Sequence, residues 1–184
     1  PEPVRKALAQ RGLKLTHILN THHHLDHCGG NLALKEEFGA QVVGPGKDRA
    51  RIPGIDVGVS EEAPWAFGSH SVKALEIPAH TSSHIAFVLD GNAFTGDTLF
   101  AMGCGRLFEG TPQMMWDSLS KLMKLPDATK IFCGHEYTLS NGKFALTLEP
   151  KNAALQARMQ DVQAARTRGA PTIPSNMALE KKTN

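Results

Sequence analysis

Seven residues of this 184-residue chain have the chemistry and the spacing to hold metal ions. Thr21 to His27 read THHHLDH and set His22, His24, Asp26 and His27 close together, while His80 (IPAHTSSH), Asp97 (FTGDTLF) and His135 (FCGHEYT) follow singly. Side chains alternate along extended backbone, so His22 and His24 are expected on one side of a strand end and His23 on the other, pointing into the fold. Asp26 and His27 then fall in the turn beyond. Imidazoles with a few carboxylates suit zinc or iron better than calcium or magnesium. A purely structural zinc fits less well, because such sites are closed and rich in cysteine. Cys28, Cys104 and Cys133 have no ligand spacing, and Cys28 and Cys104, beside the motifs, are expected as small packing residues. His17 and His70 are left as ordinary surface or hydrogen-bonded histidines, and His84 as a residue that orients a ligand without binding metal.

The elements that must carry these groups are short. Val4 to Gln10 predicts a helix stopped by Gly12, and LTHILN (15–20) a buried strand delivering the histidines. LALKEEF (32–38) is a helix and QVVGP a strand stopped at Gly44 and Pro45. Residues 46–62 show no clear period and are expected as a surface loop. Ser71 to Ile77 and Ile85 to Leu89 are strands, and Asp90-Gly91 makes the hairpin turn into NAFTG. Thr111-Pro112 opens a helix with a cap and a first-turn proline. Met115, Leu119, Leu122 and Met123 lie along its apolar face. IFCG (131–134) is a buried strand ending at His135, and 151–168 a longer helix. The chain therefore alternates strand and helix and turns helical after about residue 136, which indicates a layered α/β domain followed by a helical one.

Composition excludes several classes. A net charge of +2 with no Lys/Arg run argues against nucleic acid as a partner. No apolar stretch approaches the roughly 18 residues needed to span a bilayer, so no membrane partner is expected. PEPVRKALAQRG does not resemble a signal peptide. Three separated cysteines, one necessarily unpaired, fit a reducing cytoplasm. S-x-x-K occurs twice, at SLSK and SNGK, without the companion motifs that would give it meaning.

Taken together, THHHLDH, His80 ahead of T-x-x-H, Asp97 after glycine and His135 in GHEY resemble the metallo-β-lactamase superfamily. Within it, GCGRLFEGT (103–111) and GHEYT (134–138) resemble the glyoxalase II, or hydroxyacylglutathione hydrolase, family. The resemblance implies a four-layer αββα sandwich over residues 1–136 and a helical substrate-binding domain over 137–184. The chain opens in a helix with no strand before it and closes in EKKTN, so we expect the sandwich without its opening strands and a helical part that is incomplete.

The resemblance also implies two divalent metal ions, zinc by expectation and iron or manganese by the same donor chemistry. His22, His24 and His80 would hold one, Asp26, His27 and His135 the other, and Asp97 both, with a water or hydroxide completing the pair. Asp97 and Asp26 are the catalytic carboxylates. The substrate implied is the thioester S-D-lactoylglutathione, cleaved to D-lactate and glutathione by a monomer. Its thiolate leaving group needs little protonation, which suits a sequence with no obvious separate acid. Arg106, Leu107, Phe108, His135, Tyr137 and Lys143 match stretches that contact the glutathione moiety. Phe108 stands where some members carry tyrosine, Ala79 where glycine commonly precedes the histidine, and Ser83 where glycine is usual. The alternatives are a lactonase or mononuclear iron persulfide dioxygenase on the same scaffold, or a non-catalytic metal-binding remnant. Metal counting separates them.

Overall fold

A computed structural model describes residues 1–63 and 65–184. In chain order the elements are α1 (Glu2–Arg11), β1 (His17–Leu19), α2 (Leu25–Cys28), α3 (Asn31–Phe38), β2 (Gln41–Pro45), β3 (Val57–Val59), β4 (Trp65–Phe67), β5 (His70–Glu76), β6 (Ile85–Leu89), β7 (Asn92–Gly96), β8 (Leu99–Phe100), β9 (Gly103–Cys104), α4 (Pro112–Leu122), β10 (Lys130–Cys133), α5 (Thr138–Leu148), α6 (Ala153–Thr167), β11 (Ser175–Asn176) and α7 (Met177–Thr183). Among the described residues no helix is long and apolar enough to cross a membrane.

Two sheets carry the fold. Strands β1-β2-β3 form a small parallel sheet, and β11-β10-β7-β6-β5-β4 a larger mixed one. Strand β6, Ile-Ala-Phe-Val-Leu, is apolar throughout because both faces of the large sheet are covered. Ile85 and Phe87 pack with Val72, Ala74, Val43 and Val59 between the sheets. Ala86, with Ile77, Ala93 and Ile131, meets Leu122 of α4 on the opposite face. Val42 turns away from that inter-sheet core toward Cys28 and Ile52. The result is the four-layer αββα arrangement.

Helix α4 begins as its sequence predicts, with Thr111 Oγ1 accepting from Met114 N at 3.3 Å and Pro112 in the first turn. Met115 and Leu122 are buried, but Met123 sits at the C-cap, 37% exposed, where the helix has already turned away from the sheet.

Several expectations need correction. Strand β1 spans three residues, not six, and is an edge strand, so Leu19 is exposed instead of buried. The histidines are not on it: His22 to His24 lie in the following loop, and Asp26 and His27 in the single helical turn α2. Residues 46–62 are not one loop. They hold a 3-10 turn at Gly46–Asp48 and strand β3, whose Val-Gly-Val is too short to show a period and becomes a strand by pairing with β2. Strand β4 was likewise not expected.

The C-terminal segment is helical in α5, α6 and α7; α5 and α6 share a core of Leu155, Val162, Leu139 and Met159 around Met102. It also returns to the large sheet. β11 pairs antiparallel with β10, and Met177 enters the core beside Leu99 and Leu122. Leu122 is wholly buried at the centre of that core, so Leu122→Ala is expected to cost about 3 kcal/mol in denaturant-unfolding free energy.

Candidate metal centre

The site forms where four chain segments, at residues 22–27, 80, 97 and 135, meet on one rim of the sheets. Three groups of donors come together: His22 with His24 and His80, Asp26 with His27 and His135, and His22 with His27 and Asp97. His80 Nε2 and His24 Nδ1 are 3.0 Å apart. Asp97 stands between the first two groups, with Oδ1 3.3 Å from His27 Nε2 and Oδ2 3.6 Å from His80 Nε2 and 3.3 Å from His135 Nε2. Asp26 Oδ2 lies 3.3 Å from His135 Nε2 and 3.5 Å from His27 Nε2. All seven donors expected from the sequence meet in one place.

At His22, His24 and Asp97 the environment favours the form that binds metal. Burial, reinforced by the neighbouring His84, His27, His80 and His24, drives the His22 pKa far below the ordinary histidine range. Burial and His80 lower that of His24 as well. For Asp97 burial opposes ionisation, but His27 outweighs it and the carboxyl pKa falls. The same Asp97 overcomes burial at His27 and raises its pKa. Neutral His22 and His24 and an ionised Asp97 can accept a cation without first losing protons, whereas His27, drawn toward its protonated form by Asp97, gives up its proton to bind one.

The donors fit a metal on a further observation. His22 Nε2, His27 Nε2 and Asp97 Oδ1 are buried and have no hydrogen-bond partner among the described residues. An unsatisfied buried polar atom costs roughly 1–3 kcal/mol, and three in one place call for a shared cation. Two of the rings are also aimed by their other nitrogen: His22 Nδ1 meets Thr21 Oγ1 at 3.0 Å, and His80 Nδ1 donates to the Arg106 carbonyl at 2.9 Å. His84 takes the supporting part expected of it. It stacks on His22 with ring centroids 4.6 Å apart, and its Nε2 accepts from the Asp97 amide at 3.1 Å. Burial holds the His84 pKa down at about 3, so it stays an acceptor.

Backbone approaches the donors where only glycine fits. A Cβ on Gly134 would collide with Asp97 Oδ1 and His27, and one on Gly105 with the Asp97 carbonyl and His80. Across from them Ala79, completely buried, holds φ at 146°, a conformation that favours glycine. The departure from the family pattern at Ala79 is therefore a point of backbone strain.

The donors open onto a cleft of about 790 Å³, within the size range of small-molecule sites. Of the expected substrate residues, Arg106, Phe108, His135 and Tyr137 line it. Phe108 sets its ring edge-on to His24 and His80, and Tyr137 stacks on His135 at 4.8 Å. Leu107 and Lys143 are exposed but not on its wall; Lys143 lies beyond Asn141 on α5. Phe100, Ser140 and Asn141 line the cleft without having been foreseen, because nothing near them in sequence marks chemistry. Cys104 also lines it and is exposed, which corrects its reading as a packing residue; Cys28 is buried as expected. His17 contacts Trp65 and Phe67, and His70 pairs with Asp90, both away from the site.

A polar strap joins the loops at the rim. His23 Nδ1 meets Asp48 Oδ2 at 3.0 Å, Asp48 pairs with Arg51 at 2.5 Å, and Arg51 with Glu109 at 2.6 Å. Glu109 then accepts from the Ser82 amide and hydroxyl at 2.7 and 2.8 Å. Arg51 and the Ser82 donors hold the Glu109 pKa down at about 2.

Comparison with known proteins agrees with this geometry. The family model for the metallo-β-lactamase superfamily matches residues 2–135, and that for the hydroxyacylglutathione hydrolase C-terminus matches 136–184. A hydroxyacylglutathione hydrolase from Methylococcus capsulatus is 54% identical over 99% of this chain and 72% of its own length. Among solved structures, ETHE1 from Myxococcus xanthus superposes with a TM-score of 0.66 at 34% identity, covering 74% of this chain and 60% of that one. A protein crystallised in a di-iron-bound form superposes with a TM-score of 0.61 at 29% identity, covering 73% and 77%.

Two outcomes follow from the rim. Replacing Ala79 by glycine relieves the strained φ, and Ala79→Gly is expected to raise the unfolding free energy by about 1 kcal/mol, readable from denaturant midpoints. Glu109 has a folded pKa below its unfolded value, so its stabilisation is complete above about pH 4.5 and is lost as pH falls through about 2. Glu109→Gln is expected to flatten the fall in stability over that acid window, measured as denaturant midpoint against pH.

Proposed function

The chain belongs to the metallo-β-lactamase superfamily and, within it, to the hydroxyacylglutathione hydrolase family, and from that premise we propose that it hydrolyses S-D-lactoylglutathione to D-lactate and glutathione. That reaction is the second step of methylglyoxal detoxification. The observation that carries the reading is Asp97 standing between two complete donor groups. We assign His22, His24 and His80 to one divalent ion and Asp26, His27 and His135 to a second, zinc by preference, with Asp97 facing both.

When bound, such ions supply a nucleophile from water near neutral pH and a positive charge beside the carbonyl under attack. The protein's own groups do the rest. Asp26 and Asp97 accept hydrogen bonds from the attacking water and fix its direction. His84 and Thr21 keep Asp97 and His22 in place through the Asp97 amide and His22 Nδ1. Phe100, Phe108 and Tyr137 wall the cleft and exclude bulk water, and Arg106 offers a cation to a glutathione carboxylate. The thiolate departs without a proton donor, in keeping with a cleft whose acidic side chains are Asp26 and Asp97. Residues 1–136 supply the chemistry in this reading. Residues 137–184 supply the far wall through Tyr137, Ser140 and Asn141, while Leu107 and Lys143, off the wall, belong to the outer rim.

A mononuclear oxygenase would leave one donor group without use, whereas both are assembled here and both include buried atoms without partners. Asp97→Ala is expected to reduce hydrolysis of S-D-lactoylglutathione to background and to lower bound metal below two ions per chain, by elemental analysis. Retained turnover in that variant rejects the bridging role. About one iron per chain in the wild type, with oxygen consumption, rejects the hydrolase.

A further inference from the structure

Consecutive backbone groups beside the cleft are held by side chains from the last third of the chain. Asn184 Nδ2 donates to the carbonyls of Phe100 at 3.0 Å and Gly103 at 3.2 Å. Asn141 Nδ2 donates to the Ala101 carbonyl at 3.1 Å, and the Met102 amide donates to Glu180 Oε2 at 2.9 Å. Met102 is buried with φ at 57°, a left-handed conformation that a residue with a Cβ keeps only where its surroundings hold it. Glu180 is itself 3% exposed, and its other oxygen accepts from Ser175 Oγ and, at 2.6 Å, from Arg158 Nη2. Arg158 is 7% exposed, so each charge depends on the other.

What the clamp holds is the segment that enters the site. Gly105 donates its amide to the Thr98 carbonyl at 3.2 Å and lies against Asp97. The Arg106 carbonyl, which can only accept, takes the proton on His80 Nδ1 and so leaves His80 Nε2 free to face the donor cluster. The held stretch, residues 100–103, thus ends three positions before Arg106, which carries both the carbonyl that sets the His80 tautomer and the cation aimed at substrate.

We propose that Glu180 and Asn184 are positioning residues: through the backbone of Phe100–Gly103, helix α7 sets both the place of Arg106 and the orientation of His80. The substrate half of this inference rests on the thioesterase reading; the loop half does not.

The test uses the full chain carrying Asn184→Ala, which removes hydrogen bonds at an exposed position, and Glu180→Gln as a stronger second variant. For Asn184→Ala we expect KM for S-D-lactoylglutathione to rise roughly fivefold to twentyfold, the worth of one to two hydrogen bonds, with kcat changed less than about twofold. Amide exchange at residues 102–106 should accelerate, and zinc affinity by chelator competition should fall. Glu180→Gln should shift all three in the same direction and further. Unchanged amide exchange in both variants overturns the clamp. Accelerated exchange with unchanged KM and zinc affinity overturns it too, since the contact would then be structural only. Should the wild type fail to hydrolyse the thioester, the functional reading falls alone, and exchange with zinc affinity still decides the clamp.

Discussion

The structure depends on holding a cluster of imidazole rings in contact in a buried pocket, with His22 at its centre uncharged. His22 packs within 4.2 to 5.1 Å of His24, His27, His80 and His84, ring centroid to centroid. Protonating such a group would place several positive charges in a buried pocket with one buried carboxylate, Asp97, to answer them. The fold prevents this by burial at His22 and His84 and by giving the outward-facing nitrogens fixed partners such as Thr21 Oγ1 and the Arg106 carbonyl. The inward-facing lone pairs are left for a cation. Most features of the rim serve that end: glycines where backbone must come close, a strained Ala79, and a strap of ion pairs holding separate loops at one distance.

The donors themselves were legible because each is chemically distinctive and four lie within one short motif. Their meeting could be inferred from residue type and resemblance, without knowledge of the path between them. The carriers were less legible. Alternation along a strand predicts His22 and His24 together, yet they meet from a loop that leads into α2. The outcome was right and the geometry was not. Strands β3 and β4 have three residues each and carry no period; only pairing with β2 and β5 makes them strands.

The cleft wall shows the same limit more clearly. Arg106, Phe108 and Tyr137 sit in recognisable stretches, whereas Phe100, Ser140 and Asn141 reach the wall from places with no local signature. Arg158 and Glu180 look like two ordinary surface charges in a helical stretch. Their burial follows from α6 and α7 closing over Met102, a tertiary event that sequence spacing does not encode. Ala79 is the reverse case: its departure from the family's glycine was visible in the sequence, and the structure supplied its physical meaning as a positive φ.

Strand β11 gives the two matched segments a shared fate. By pairing with β10 it covers an edge that would otherwise present open amides and carbonyls to any passing chain. The terminal helices are thus not a detachable recognition module that could be shuffled onto another scaffold. Losing them would uncover a sticky border on the parent domain, and self-association would follow before any question of ligand preference arose.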